Sequence, residues 1–142
     1  MTTHSFLLSR MARILCPWLV VLSVVVFYRG HHLPGGGFIG GLLGAMGFVL
    51  IALGDGAAAA RRVLRVEPIM LLTIGMSLAL LAGLLGVFMG ASLLTGLWLP
   101  EFSVPLLGVV HLGTPLLFDA GVFLTVMGFA LKVVFALKEV DS

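Results

Sequence analysis

Charge is what this sequence has least of. Eight residues of 142 are Lys or Arg and six are Asp or Glu, 10 % in all. A soluble domain carries about a quarter, so these side chains cannot coat a globule in water. The single cysteine, Cys16, excludes an internal disulfide and a multi-cysteine metal site. Ile14 and Leu15 precede it, so it lacks the small residues of a lipid-attachment site and reads as a small apolar side chain. No serine or cysteine stands in a nucleophile arrangement, and no two carboxylates share one face of one helix. No catalytic residue, metal site or cofactor is therefore expected, and the chain does not read as an enzyme. Residues 12–27 do not alternate apolar with polar side chains, which excludes the strands of an outer-membrane barrel.

What is present is apolar length: 61 % of the residues are hydrophobic. Four runs, at about 12–28, 35–54, 68–89 and 115–137, suit a hydrocarbon core of about 30 Å, which takes roughly 20 helical residues. In lipid every backbone polar group needs an internal partner, so these runs are helices. The expected fold is all-α: one polytopic membrane domain over residues 1–142 with four transmembrane helices. Arg10 and Arg13 before an apolar run resemble a secretory signal, but no small-x-small cleavage site follows, so the first helix is expected to stay. Pro34 and Pro68 suit helix starts, where a missing N–H costs nothing. Thr114-Pro115 suits an N-cap followed by a first helical residue. Asp55 between Gly54 and Gly56 reads as a helix stop. Residues 102–131 hold no Lys, Arg or Glu, too long for one simple span. The segment 104–111 is read as re-entrant or interfacial, with a kinked early part of the fourth span as the alternative.

Four spans put Arg10, Arg13, Arg61, Arg62, Arg65, Lys132 and Lys138 on one side and Arg29 alone on the other. The positive-inside rule then places both termini in the cytoplasm. Because the basic residues sit at the ends of apolar runs and form no stripe, no nucleic-acid partner is expected.

Glycine, at 19 residues, is ordered. Gly36, Gly40 and Gly44 are spaced by four, and Gly37, Gly41 and Ala45 share that spacing on the adjacent face. Gly75, Ala79 and Gly83 repeat it in the third span, and Gly121, Thr125 and Gly128 line the fourth. Residues four apart share a helix face, and small faces let membrane helices approach closely. Two small faces on one helix exceed what a four-span chain needs internally, so one is expected to meet another subunit.

Asp119 is the carboxylate that lies within a span, one turn into the fourth. Intramembrane carboxylates face a bundle interior or a polar path. Two readings stand: a place on an ion or proton route, or a structural carboxylate bonded to backbone or hydroxyl groups near a helix start. His31 and His32 are adjacent without an acidic neighbour, a poor metal signal even with His111. The glycine run 35–37 is no phosphate loop, since no Lys-Ser/Thr follows.

Two blocks carry a resemblance. Tyr28-Arg29-Gly30-His31-His32-Leu33-Pro34-Gly35-Gly36-Gly37-Phe38-Ile39-Gly40-Gly41 is close to an Arg-Gly-His-x-x-Pro-Gly-Gly-Gly-Phe motif, with His32 where Asn is frequent. Leu117-Phe118-Asp119-Ala120-Gly121-Val122 is close to a Phe-Asp-x-Gly-Val segment. In both, and in the order of its spans, the chain resembles the B subunit of the multisubunit Na+/H+ antiporters of the Mrp or Mnh type. The resemblance implies an accessory role in a bacterial plasma-membrane complex, with other membrane subunits and lipid as partners and Na+ and H+ as transported ions, not cofactors. It implies that Asp119 lines an ion path or a buried seam, which Thr125, on the small face beside it, is expected to share. It further implies that the block of Arg29, Gly30, His31, Pro34, Gly35, Gly36 and Gly37 makes a tight subunit contact, to which Phe38, Gly40, Gly41, Gly44 and Gly121 are added as candidates beside the small faces. The rivals are a structural component of a related hydrogenase or respiratory complex and an autonomous small carrier.

Overall fold

In a computed structural model, the described residues are 3–29, 36–88, 102–104, 108–110 and 114–140. They form α1 (Thr3–Arg29), α2 (Gly36–Asp55), α3 (Ala57–Leu64), α4 (Pro68–Phe88), β1 (Phe102–Val104), β2 (Gly108–Val110) and α5 (Thr114–Val140). Helices α1, α2, α4 and α5 are each long and apolar enough to cross a membrane. Expected and observed spans coincide apart from their ends: α1 begins nine residues early and α5 runs three residues further. Pro17 lies inside α1, where it removes one backbone donor, a loss that membrane helices tolerate when neighbours re-satisfy the freed group. Pro68 opens α4 as expected, and the Glu67 carbonyl accepts from Met70 N–H at 2.9 Å.

The linker between α2 and α4 holds a helix that hydrophobicity did not signal. Gly56, at φ 96°, turns the chain out of α2. The alanine run 57–60 then starts α3, because alanine is the best helix former. Arg65, at φ 64°, ends α3 in the left-handed region, and its N–H donates to the Arg61 carbonyl at 2.9 Å. Ala57 and Ala60 are buried against the bundle.

The segment expected to be re-entrant carries β1 and β2, paired antiparallel with Phe102 opposite Val110 and Val104 opposite Gly108. A kinked early part of the last helix does not agree with this pairing. β-branched valines favour extended backbone, and Pro105 cannot supply an interior helix donor. Residues 105–107 and 111 lie outside the described residues.

The four long helices stand in a row, α1–α2–α5–α4. α1 packs on α2, α2 on α5 and α5 on α4, α1 touches α5 only slightly, and α1 and α4 do not meet among the described residues. Close approaches give the directions. Ser9, Cys16 and Ser23 of α1 face Gly54, Gly47 and Gly40 of α2, so this pair is antiparallel. Asp119, Phe123 and Met127 of α5 face Gly37, Gly41 and Gly44, so α2 and α5 are parallel. Gly121 and Gly128 face Ala79 and Leu72, so α4 and α5 are antiparallel. The start of α1, the end of α5 and α3 therefore share one end of the molecule, here termed the basic end. A small apolar core gathers there: Ala52, Ala60, Leu131 and Phe135 are fully buried, with Ile51 and Phe48 beside them. Outside the helix seams most large apolar side chains point outward, including Trp18 at 71 % and Phe88 at 79 % exposure. That surface suits lipid or other membrane helices as solvent and not water.

Candidate functional site

The first turn of any helix has N–H groups without intrahelical partners. In α2 one of these belongs to Gly37, and it donates to Asp119 Oδ1 at 2.9 Å. Asp119, half-buried in the second turn of α5, thus caps the helix beside it. The positive end of the α2 dipole favours a negative charge at that point. A Cβ at Gly37 would run into both the carboxylate and the backbone carbonyl of Asp119. The two sequence blocks, 82 residues apart at this contact, are therefore halves of one site.

Thr125 lies elsewhere. Its hydroxyl donates to the Gly121 carbonyl at 2.7 Å. Its backbone N and Oγ1 would each be 2.5 Å from a Cβ placed on Gly75 of α4. Asp119 belongs to the α2–α5 seam and Thr125 to the α4–α5 seam, so the structure does not bring the pair together at one point.

The expectation that a glycine face of α2 meets another subunit is corrected for the glycines that are described. Gly36, Gly37, Gly40, Gly41 and Gly44 are all buried within this chain. A Cβ on Gly40 would lie 2.9 Å from the Ser23 carbonyl and 3.2 Å from the Phe123 ring. On Gly41 it would lie 2.7 Å from the Phe123 carbonyl, and on Gly44 it would meet Ser23 Oγ and the Met127 sulfur. Gly121 is likewise filled, by Ala79 N at 2.6 Å and Gly75 O at 2.7 Å. The reason is the row: α2 has a neighbour on each side, α1 and α5, so both of its small faces are used internally. Arg29 and Phe38 are exposed. Gly30, His31, Pro34 and Gly35, with His32 and His111, lie outside the described residues.

Two polar clusters escaped the sequence reading. At the far end of α2, Asp55 accepts from Ser9 Oγ and from Arg13 Nε, the latter at 2.8 Å, and its side chain is only 8 % exposed. Ser9 and Arg13, four apart on α1, were the available signal, since that spacing puts both on one face. Next to α3, Arg61 bridges Glu67 at 2.8 Å and Glu139 at 2.9 Å and lies 5.1 Å over the Phe135 ring. Ser23, almost fully buried, donates to the Val20 carbonyl at 2.6 Å. Among the described residues, no three His, Cys, Asp or Glu side chains gather as a metal site would need.

These features define a class: a small four-span membrane protein whose helices are joined by glycine seams and by a carboxylate cap between two of them. The chain belongs to the family described as a domain related to the MnhB subunit of Na+/H+ antiporter, whose model matches residues 7–132. It is 32 % identical over 139 residues to the Na(+)/H(+) antiporter B subunit of Alkalihalophilus pseudofirmus, covering 98 % of this chain and 96 % of the relative. It is 33 % identical to the A/B subunit of a probable K(+)/H(+) antiporter of Rhizobium meliloti, covering 96 % of this chain but 14 % of that longer protein. A solved structure of the Mrp complex from Dietzia sp. DQ12-45-1b matches with a TM-score of 0.73 and 37 % identity, over 95 % of this chain and 14 % of the one it resembles.

Proposed function

We infer that this chain is an accessory, multi-pass subunit of a multisubunit Na+/H+ antiporter in a bacterial plasma membrane, with the other antiporter subunits as its partners. The observation that carries this reading is whole-length similarity to a protein named as the B subunit of such an antiporter, in a chain whose two motif blocks touch at Gly37 and Asp119. The open row supports it physically. Four helices that leave most large apolar side chains outside have ample surface to offer neighbouring subunits. A hydrogenase or respiratory role is not favoured. The antiporter family is a transporter component, and we read this chain as neither an enzyme nor a carrier by itself. Coupled transport needs more ligands than the carboxylates found here and usually an internal repeat.

Seven of the eight basic residues fall at the end that holds both termini and α3, which supports cytoplasmic termini. Within the complex, Asp119 acts first as a seam carboxylate that holds α2 against α5, a reading supported by its bond to Gly37. Arg29 and Phe38, both exposed, remain available for a contact with a neighbouring subunit.

The test is exchange by everted membrane vesicles carrying the complex with and without this chain. Na+-dependent H+ exchange should vanish without the chain and return when it is resupplied; full exchange in its absence rejects the proposal. Repeating the assay with K+ identifies the cation. Replacing Asp119 by Ala should lower assembly and exchange together, whereas lost exchange in a fully assembled complex would move Asp119 onto an ion path.

A further inference from the structure

Among the described residues the basic end carries seven Lys or Arg against three Asp or Glu, and the carboxylates are not shared evenly. Asp55 takes Arg13, while Glu67 and Glu139 both take Arg61. Arg62 and Arg65 have no ion pair among the described residues. Arg62 Nε makes only a long contact, 3.4 Å, to the Ala58 carbonyl of its own helix. Both arginines are exposed. Beside them, Val63 is 51 % and Val66 39 % exposed. Ala57 and Ala60 are buried against the bundle, on the side of α3 away from Arg62.

Position decides what this surface meets. α3 has eight residues, about 12 Å of helix, too short to cross a bilayer. It links the end of one span to the start of the next, so it lies at the membrane boundary. A helix there with cations beside exposed apolar side chains has the composition of an interfacial element: the apolar groups enter the acyl boundary and the guanidiniums stay with the headgroups.

We propose that α3 and its cap form a seat for anionic phospholipid, with Arg62 and Arg65 on the headgroup phosphate and Val63 and Val66 in the acyl boundary. The planar guanidinium matches phosphate oxygens in a bidentate way. Lys132 and Lys138 on α5 add to the positive field of the same end. An acidic protein segment would satisfy the arginines but leave the two valines without an apolar neighbour. The seat is independent of which ion the complex transports.

The experiment uses the assembled complex in mild detergent, with phosphatidylglycerol or phosphatidylcholine added and retained lipid counted by native mass spectrometry. The unaltered complex should retain phosphatidylglycerol in preference. Arg62→Gln with Arg65→Gln should reduce that preference by on the order of fivefold per arginine at low salt. Arg62→Lys with Arg65→Lys should keep most of it, and Arg61→Gln, which removes a cation already paired with Glu67 and Glu139, should reduce it less than either seat arginine does. The double Gln variant must stay in the complex at the usual stoichiometry; if it does not, the Lys pair and a salt titration of the unaltered complex decide, since a headgroup seat weakens with salt. Unchanged lipid preference in the double Gln variant overturns the proposal. So does a loss of subunits from that variant with lipid preference intact, which would identify a protein partner on these arginines.

Discussion

The two ends of α2 both carry an aspartate and treat it in opposite ways. Asp119, supplied by α5, meets the N-terminal end of α2, where a bare N–H and the positive dipole end suit a carboxylate. Asp55 belongs to α2 itself and sits at its C-terminal end, where unpaired carbonyls disfavour negative charge. There the chain adds a cation and a hydroxyl, Arg13 and Ser9 of α1. One end uses the helix to hold the carboxylate; the other uses a neighbouring helix to compensate for it. Each arrangement fastens α2 to a different partner, α5 at one end and α1 at the other.

Perturbing the α4–α5 seam, which uses no charge at all, sets the scale. Gly121→Leu would force its side chain onto α4 backbone atoms less than 3 Å away. It should cost about 3 kcal/mol or more, read as loss of the folded fraction in a detergent unfolding titration. Asp119→Ala leaves the Gly37 N–H without its acceptor in a part-buried seam and should cost about 1–3 kcal/mol in the same titration. Asp119→Asn retains an acceptor and should lose less than half as much. Arg13→Ala strands Asp55 at the unfavourable end of α2 and should cost about 1 kcal/mol, with part regained when Asp55→Asn is added. Non-additivity of those two changes would measure their coupling. Arg61→Met, which breaks pairs with the exposed Glu67 and Glu139, should cost under about 1 kcal/mol and less still in high salt. If Asp55→Ala proved as damaging as Asp119→Ala, the asymmetry between the two ends of α2 would be wrong.

Much of the fold was legible because lipid imposes simple demands. Each span needs about twenty apolar residues, and each run in the sequence supplied them. Glycine spacing correctly marked faces of close approach, since only a missing Cβ allows carbonyls such as that of Phe123 to come so near Gly41. What it could not mark was the owner of the opposing surface. A small face looks the same whether its neighbour is Ser23 of the same chain or a residue of another protein, so one of the two glycine faces of α2 was expected to meet another subunit, whereas the described glycines of both pack within this chain. The Asp119 cap was half visible: its need for backbone partners followed from its depth, but Gly37 is 82 residues distant and no local pattern links them. Short elements were the least readable. α3 and the β1–β2 pair are each smaller than the windows over which hydropathy is informative, and both depend on single residues, Gly56 and Arg65 for one and the valines for the other.

The missing contact between α1 and α4 bears on how the protein is made. Among the described residues the row divides into two helical hairpins, α1–α2 and α4–α5, whose lateral association occurs chiefly through α2 and α5, with smaller contacts from Phe27 of α1 and Arg61 of α3 to α5. Each hairpin can enter the bilayer as a finished pair during synthesis, and the bond between Gly37 and Asp119 forms only when the second pair has arrived beside the first. That bond thus reports completed docking, and a ribosome that has released the first half leaves α2 with one glycine side open until the second half reaches it.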